Sequence, residues 1–152
     1  MAEFEIELQL NFGDEDVLGP HLTKIAKATL TQQQVNSAAV LTILVTDDAQ
    51  LHELNRTYRK EDKPTDVLSF EDGTVWPDGK TYLGDIAISY ETADRQATAG
   101  GHSLLDEMAL LTAHGVLHLL GHDHGEPDEK AVMWQAQDEI LGEFGITVRP
   151  VE

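Results

Sequence analysis

The sequence predicts an α+β fold: a single-domain sandwich of a mixed, roughly four-stranded sheet with about four helices, one of them central. Three observations lead there. Residues 4–10 alternate Phe4, Ile6, Leu8, Leu10 with Glu5, Glu7, Gln9, the period-two pattern of a half-buried strand. Residues 38–46 form a nearly continuous apolar, β-branched run, as in a central strand covered on both faces. Residues 104–120 are apolar nearly all round a helix, and a helix without a wet face belongs inside the molecule.

The remaining elements follow in order. Residues 11–16 read as a polar turn, and Pro20 stands near the start of a helix with Leu22, Ile25, Ala26 and Thr29 at helical spacing. Thr46 or Asp47 caps a helix running to about Tyr58, with Leu51 and Leu54 inward. Residues 67–70 form a short strand. Residues 71–81 hold two Asp-Gly pairs and a proline and read as a loop, and residues 83–90 form the second arm of an antiparallel hairpin. Ser103 with Asp106 resembles a capping box opening the apolar helix, and Gly121 stops it. Pro127 opens the last helix, with Met133, Ala136, Ile140 and Phe144 on one face, and Gly145 ends it.

Composition narrows the function. The 152 residues suit one domain, residues 1–152. With no cysteine, thiolate metal sites and cysteine nucleophiles are excluded, so a tightly held metal needs His, Asp or Glu. The opening residues lack the basic and apolar regions of a signal peptide, and no apolar run is long enough for a bilayer, which makes a cytoplasmic protein the expectation. A net charge of −18 opposes broad binding to nucleic acid. Yet Arg56, Arg59, Lys60 and Lys63 fall within one eight-residue stretch.

Four of the seven histidines lie between positions 114 and 124. His114 and His118 are four apart, so on a helix both rings leave one face, one turn from each other. His124 is six residues further on. A continuing helix would carry it about 600° around and about 9 Å along, away from the pair. It reaches the same point only if the chain turns back, and Gly121 is placed for that turn. Helical pair, breaker and returning histidine together point to a metal, and three neutral ligands leave an open fourth position, the mark of a catalytic zinc site. Adjacent His122 points elsewhere. His21, His52 and His102 stand alone and are assigned to structure or surface. Zincin peptidases use HExxH with Glu as base, and here that position is Gly115. Glu107, on the same helix face, reads as a first-turn acid or as a support of the metal site.

The stretch His114-Gly115-x-x-His118-Leu119-x-Gly121-x-Asp123-His124 resembles the signature of the YbeY family of endoribonucleases, the ribosomal-RNA maturation factors. Residues 54–70, reading LNRTYRKEDKPTDVLSF, are similar to that family's second block, and Leu83-Gly84-Asp85-Ile86 to its third. The resemblance implies one zinc per chain on His114, His118 and His124, with Arg59 and His114 as catalytic residues. It also implies cleavage of single-stranded RNA in small-subunit ribosomal RNA maturation and ribosome quality control, with ribosomal RNA and the ribosome or its proteins as partners. Glu71 stands where the family commonly has proline, and His122 where it commonly has an aromatic residue. Two other expectations are a peptidase-like hydrolase using the same metal and a non-enzymatic ribosome-assembly factor with a structural metal. The basic stretch around Arg59 offers local attraction for phosphate in an otherwise repelling chain.

Overall fold

In the computed structural model, residues 3–148 are described; Met1 and Ala2, at the head of the opening segment, lie outside them. The elements run β1 (Phe4–Leu10), α1 (Glu15–Gln32), β2 (Ala39–Thr46), α2 (Asp48–Leu54), a π-helical turn (Asn55–Arg59), β3 (Val67–Val75), β4 (Thr81–Ser89), α3 (Tyr90–Gly100), α4 (Leu104–Leu119) and α5 (Pro127–Gly142). The sheet is mixed, in the order β1-β2-β4-β3. β1 and β4 both run parallel to β2, and β3 closes the edge as the antiparallel partner of β4.

The layers follow from the apolar patterns. β2 and β4, the inner strands, carry Leu41, Ile43, Val45, Ile86 and Ile88 into the main core. Leu18, Leu22, Ala26 and Leu30 of α1 meet them, with Met108, Leu111, Val116 and Leu119 of α4. The opposite flank of α4 (Ala109, Leu110, Ala113, Leu117) packs on Ile25 and on Met133, Ala136, Ile140 and Leu141 of α5. α4 is therefore held between the sheet and α5, as its uniform apolarity requires. A smaller cluster on the other sheet face seats Leu51 against Leu68 and Ala87.

Several expectations need correction. The first helix begins at Glu15 with Asp14 as its cap, the carboxylate taking the Asp16 N–H at 3.0 Å. Pro20 lies inside the helix rather than at its start, where its missing N–H leaves the Asp16 carbonyl without its helical donor. Residues 71–81 are not a loop. β3 continues to Val75, with a register shift between Glu71 and Thr74. The two Asp-Gly pairs do different jobs: Asp72 accepts the Thr74 N–H at 2.9 Å in the bulge, and Asp78 accepts the Lys80 N–H at 3.0 Å in the hairpin turn. The expected four or so helices are present, and the described residues hold one more, five in all. The extra one, α3, buries only Ala93 and Ala97, a stripe too thin to read as an amphipathic pattern. α5 stops at Gly142, and Gly145 follows beyond it with φ +73°.

Candidate metal centre

Between Glu107 and Leu119 every residue of α4 is buried except His114 and His118, which are partly open. The two interruptions fall one turn apart and face the same cleft. Their Nε2 atoms stand 3.1 Å apart. Two nitrogens on a tetrahedral zinc, each at about 2.0–2.1 Å, would lie about 3.3 Å from each other, so this pair needs almost no movement to share an ion.

The third ring arrives through the end of α4. Leu120 caps the helix, the Gly121 N–H reaches the His118 carbonyl at 3.0 Å, and the His122 N–H reaches the Leu117 carbonyl at 3.0 Å. This is a Schellman ending with Gly121 at φ +98°, the left-handed turn that the returning histidine requires. Asp123 then accepts the His124 N–H at 2.7 Å and closes the loop. The His124 ring lies 5.3 Å from both His114 and His118, centroid to centroid. The three residues offer nitrogens that all lie within 4.8 Å of one another, a group that can hold a metal ion.

A Cβ at Gly121 would meet nothing within 4 Å, so the demand for glycine is conformational rather than steric. Gly121→Val is expected to weaken zinc binding about tenfold although it removes no ligand, because a β-branched residue resists this φ. Gly19→Ala, inside α1 with room for the new methyl, is the control and should leave affinity unchanged. Competition with a chelator at fixed pH measures both. Equal affinity of wild type and Gly121→Val would sink the argument from the turn.

The two rings on α4 are disposed to stay neutral. Burial, reinforced by the nearby His118, lowers the pKa of His114 to about 4. Burial and then His124 lower that of His118. Protons therefore compete poorly for these nitrogens at neutral pH. The Nδ1–H of His114 donates to Oε1 of Gln137 at 2.7 Å, which turns Nε2 toward the cleft. Gln137 is 1% exposed and comes from α5. Sequence reasoning missed it, although a glutamine one position after Ala136 on the apolar face of α5 was a visible irregularity. Trp134, from the same helix, packs edge-on against His114 and tilted against His124, at 5.9 and 5.4 Å.

The opposite wall of the cleft, whose volume is about 470 Å³, comes from β3 and the π-helical turn. Arg59 is the last residue of that turn, a local irregularity of the kind often found at functional sites. Lys60 follows at φ +61°, and buried Asn55 ties the segment down by donating to the Lys63 carbonyl at 3.0 Å. The Arg59 guanidinium donates to the Ser69 carbonyl and lies 5.3 Å from the Phe70 ring centre. Of the four clustered cations only Arg59 lines the cleft. Arg56 pairs with Glu53 at 2.6 Å on the exposed side, and the Lys60 ammonium reaches the Thr57 carbonyl at 3.3 Å.

The other histidines are accounted for. His122 turns to Gln33 at 2.6 Å, away from the cluster. His21 meets the Leu105 carbonyl at 2.7 Å and His52 meets Asp62 at 2.6 Å. Glu107 is a first-turn acid of α4, as expected, but it is buried and meets His102 at 2.6 Å rather than the three clustered histidines. Its carboxylate is buried between α3 and α4.

The family model described as Endoribonuclease YbeY matches residues 7–145. The protein named Endoribonuclease YbeY from Roseiflexus castenholzii is 46% identical over 153 residues, covering 96% of each chain. Its namesake from Chloroflexus aurantiacus is 43% identical over 94% of this chain and 97% of its own length. That from Pelotomaculum thermopropionicum is 41% identical over 92% and 95%. The solution structure of TM1509 from Thermotoga maritima superposes with a TM-score of 0.57 over 91% of each chain at 22% identity, a likeness of fold. Among the described residues no helix is long and apolar enough to cross a membrane. A match spanning nearly the whole chain, with relatives above 40% identity of similar length, establishes that this chain belongs to the YbeY endoribonuclease family.

Proposed function

We propose that the chain, residues 1–152 acting as one domain, is a zinc-dependent, single-strand-specific endoribonuclease of small-subunit ribosomal RNA maturation and ribosome quality control. The observation that carries this reading is the convergence of His114, His118 and His124 on one cleft that Arg59 enters from the other wall. Three neutral imidazoles suit zinc, and a ligand set of three leaves room for substrate. Zinc, when bound, supplies Lewis acidity beside a phosphoryl oxygen and acidifies water.

The chain's own residues do the rest. His114, His118 and His124 hold the ion, and Gln137 keeps His114 in the ligating tautomer. Arg59 presents N–H donors where negative charge develops on a phosphodiester, and its contact with Phe70 holds the guanidinium over the cleft. The net charge of −18 disfavours long tracts of bound RNA and favours basic ribosomal proteins as docking partners. A ribosomal-RNA substrate implies a cytoplasmic protein. A peptidase reading is disfavoured, because the place of the zincin glutamate is Gly115, where even a Cβ would lie 2.7 Å from Ile86 Cγ2.

The zinc-loaded protein should cut a labelled single-stranded RNA and leave the same sequence as a duplex or as DNA intact. No cleavage of any RNA would reject the proposal. Arg59→Glu is expected to slow cleavage about 100-fold or more, while bound zinc and melting stay close to wild type, since Arg59 is exposed. In cells relying on Arg59→Glu alone, unprocessed small-subunit ribosomal RNA should accumulate. Cleavage at the wild-type rate would reduce Arg59 to a surface cation.

A further inference from the structure

A zinc hydrolase needs a group to take the proton of the attacking hydroxyl, and α4 cannot carry one at Gly115 because Ile86 fills that space. Three carboxylates line the cleft: Asp66, Glu71 and Asp123. Glu71 and Asp123 are exposed, and Asp123 is engaged with the backbone of the turn before His124. Asp66 differs. It is partly buried, with Oδ1 accepting the Val67 N–H at 2.8 Å and Oδ2 3.4 Å from the Gln96 amide nitrogen. That same nitrogen donates to Oε2 of Glu107 at 2.8 Å. Glu107 is 1% exposed, and its other oxygen meets His102 Nε2 at 2.6 Å.

Four side chains thus run from the interface of α3 and α4 out to the cleft: His102, Glu107, Gln96, Asp66. A fully buried carboxylate is costly to keep, and one whose only task was to join two helices could be replaced by an apolar contact. Glu107 does something an apolar residue cannot. It orients the Gln96 amide, whose two hydrogens serve one carboxylate each. The chain fixes Asp66 as second-layer partners fix a working group.

We infer that Asp66 is the general base of the cleavage reaction and that Gln96, held by Glu107, is its positioning residue; this rests on the endoribonuclease reading above. The attacking hydroxyl, of water or of the adjacent ribose, gives its proton to an Asp66 oxygen as its own oxygen bonds to phosphorus. The phosphorus–oxygen bond to the departing ribose breaks with its electron pair on that oxygen, which takes a proton from solvent. Arg59 stays protonated throughout and stabilises the phosphoryl oxygens.

The test uses the zinc-loaded full chain in single-turnover cleavage of single-stranded RNA, with zinc retention against a chelator, RNA binding and thermal melting measured alongside. Asp66→Asn should cleave about 100-fold or more slowly with the other three properties unchanged. Asp66→Ala should recover part of the lost rate in sodium formate, a small carboxylate able to take the proton, whereas wild type should not respond. Gln96→Leu should slow cleavage about tenfold at unchanged zinc affinity. A wild-type rate in Asp66→Asn or in Gln96→Leu, absence of formate rescue, or loss of zinc from Asp66→Asn would each overturn the inference. If the Asp66 variants do not fold, Gln96→Leu decides alone: slowed cleavage with zinc retained supports it, and the wild-type rate overturns it. Failure of the wild type itself to cut RNA would instead reject the endoribonuclease reading.

Discussion

Gly115→Glu, which writes HExxH into this chain, is expected to lose the fold rather than gain a peptidase. Gly115 is buried on the side of α4 that faces β4. A Cβ there would lie 2.7 Å from Ile86 Cγ2, 3.1 Å from Cδ1 and 3.2 Å from Cγ1. Ile86 is 0% exposed and belongs to the main core, so it can give way only slightly and at a cost in packing. Overpacking of this kind costs about 1–3 kcal/mol, offset by up to about 1 kcal/mol of better helix propensity for alanine. Gly115→Ala should therefore melt a few degrees lower and still fold. Glutamate adds a longer side chain and a carboxylate with no partner in an apolar layer, at a further several kcal/mol. Domains of this size hold only about 5–15 kcal/mol in total. Urea titration followed by circular dichroism separates the cases: a shifted transition for Gly115→Ala and none for Gly115→Glu. A folded Gly115→Glu of near-normal stability would mean that α4 can lift from the sheet.

Metal removal should have the second large effect, on activity and not on architecture. Chelation is expected to abolish RNA cleavage, with full recovery when zinc is restored, while the far-ultraviolet circular dichroism spectrum stays the same. None of the three histidines belongs to the core clusters. His114 and His118 lie on the open strip of α4, and His124 sits in an exposed loop beyond the helix. The ion thus stabilises the native state only through binding linkage, about 4 kcal/mol when free zinc exceeds its dissociation constant a thousandfold. The melting temperature should fall on chelation and depend on zinc concentration. His118→Ala should behave as the chelated wild type does, with and without zinc. Collapse of the spectrum on chelation would instead make the metal structural.

Much of the centre was legible because its logic is local. A pair of histidines at i and i+4 faces one way on any helix, whatever surrounds it. Gly121 was readable for the same reason, since a chain that must double back after a helix needs positive φ. The strands at 4–10 and 38–46 declared their burial through period and β-branching, and β1 and β2 lie within a residue of those limits. Local reading failed where the pattern was weak or double. The alanine stripe of α3 is too small to register, and Asp-Gly serves a bulge as readily as a turn, so β3 was cut short.

By itself, then, the sequence determined the class of fold, the three histidines that converge as a set and the family, all of which rest on spacing along one chain. Only the tertiary structure decided what meets that set. Gln137 reaches His114 because α5 packs across α4. Arg59 faces the histidines because a π-helical turn, tied by Asn55, aims it at β3. Asp66 is held through Gln96 and Glu107 because α3 lies against α4. Gly115 excludes a side chain because Ile86 comes from a strand 29 positions earlier in the chain. Contacts between residues so far apart leave no period for a sequence to display, since they depend on how finished elements pack and on which small side chains let them approach.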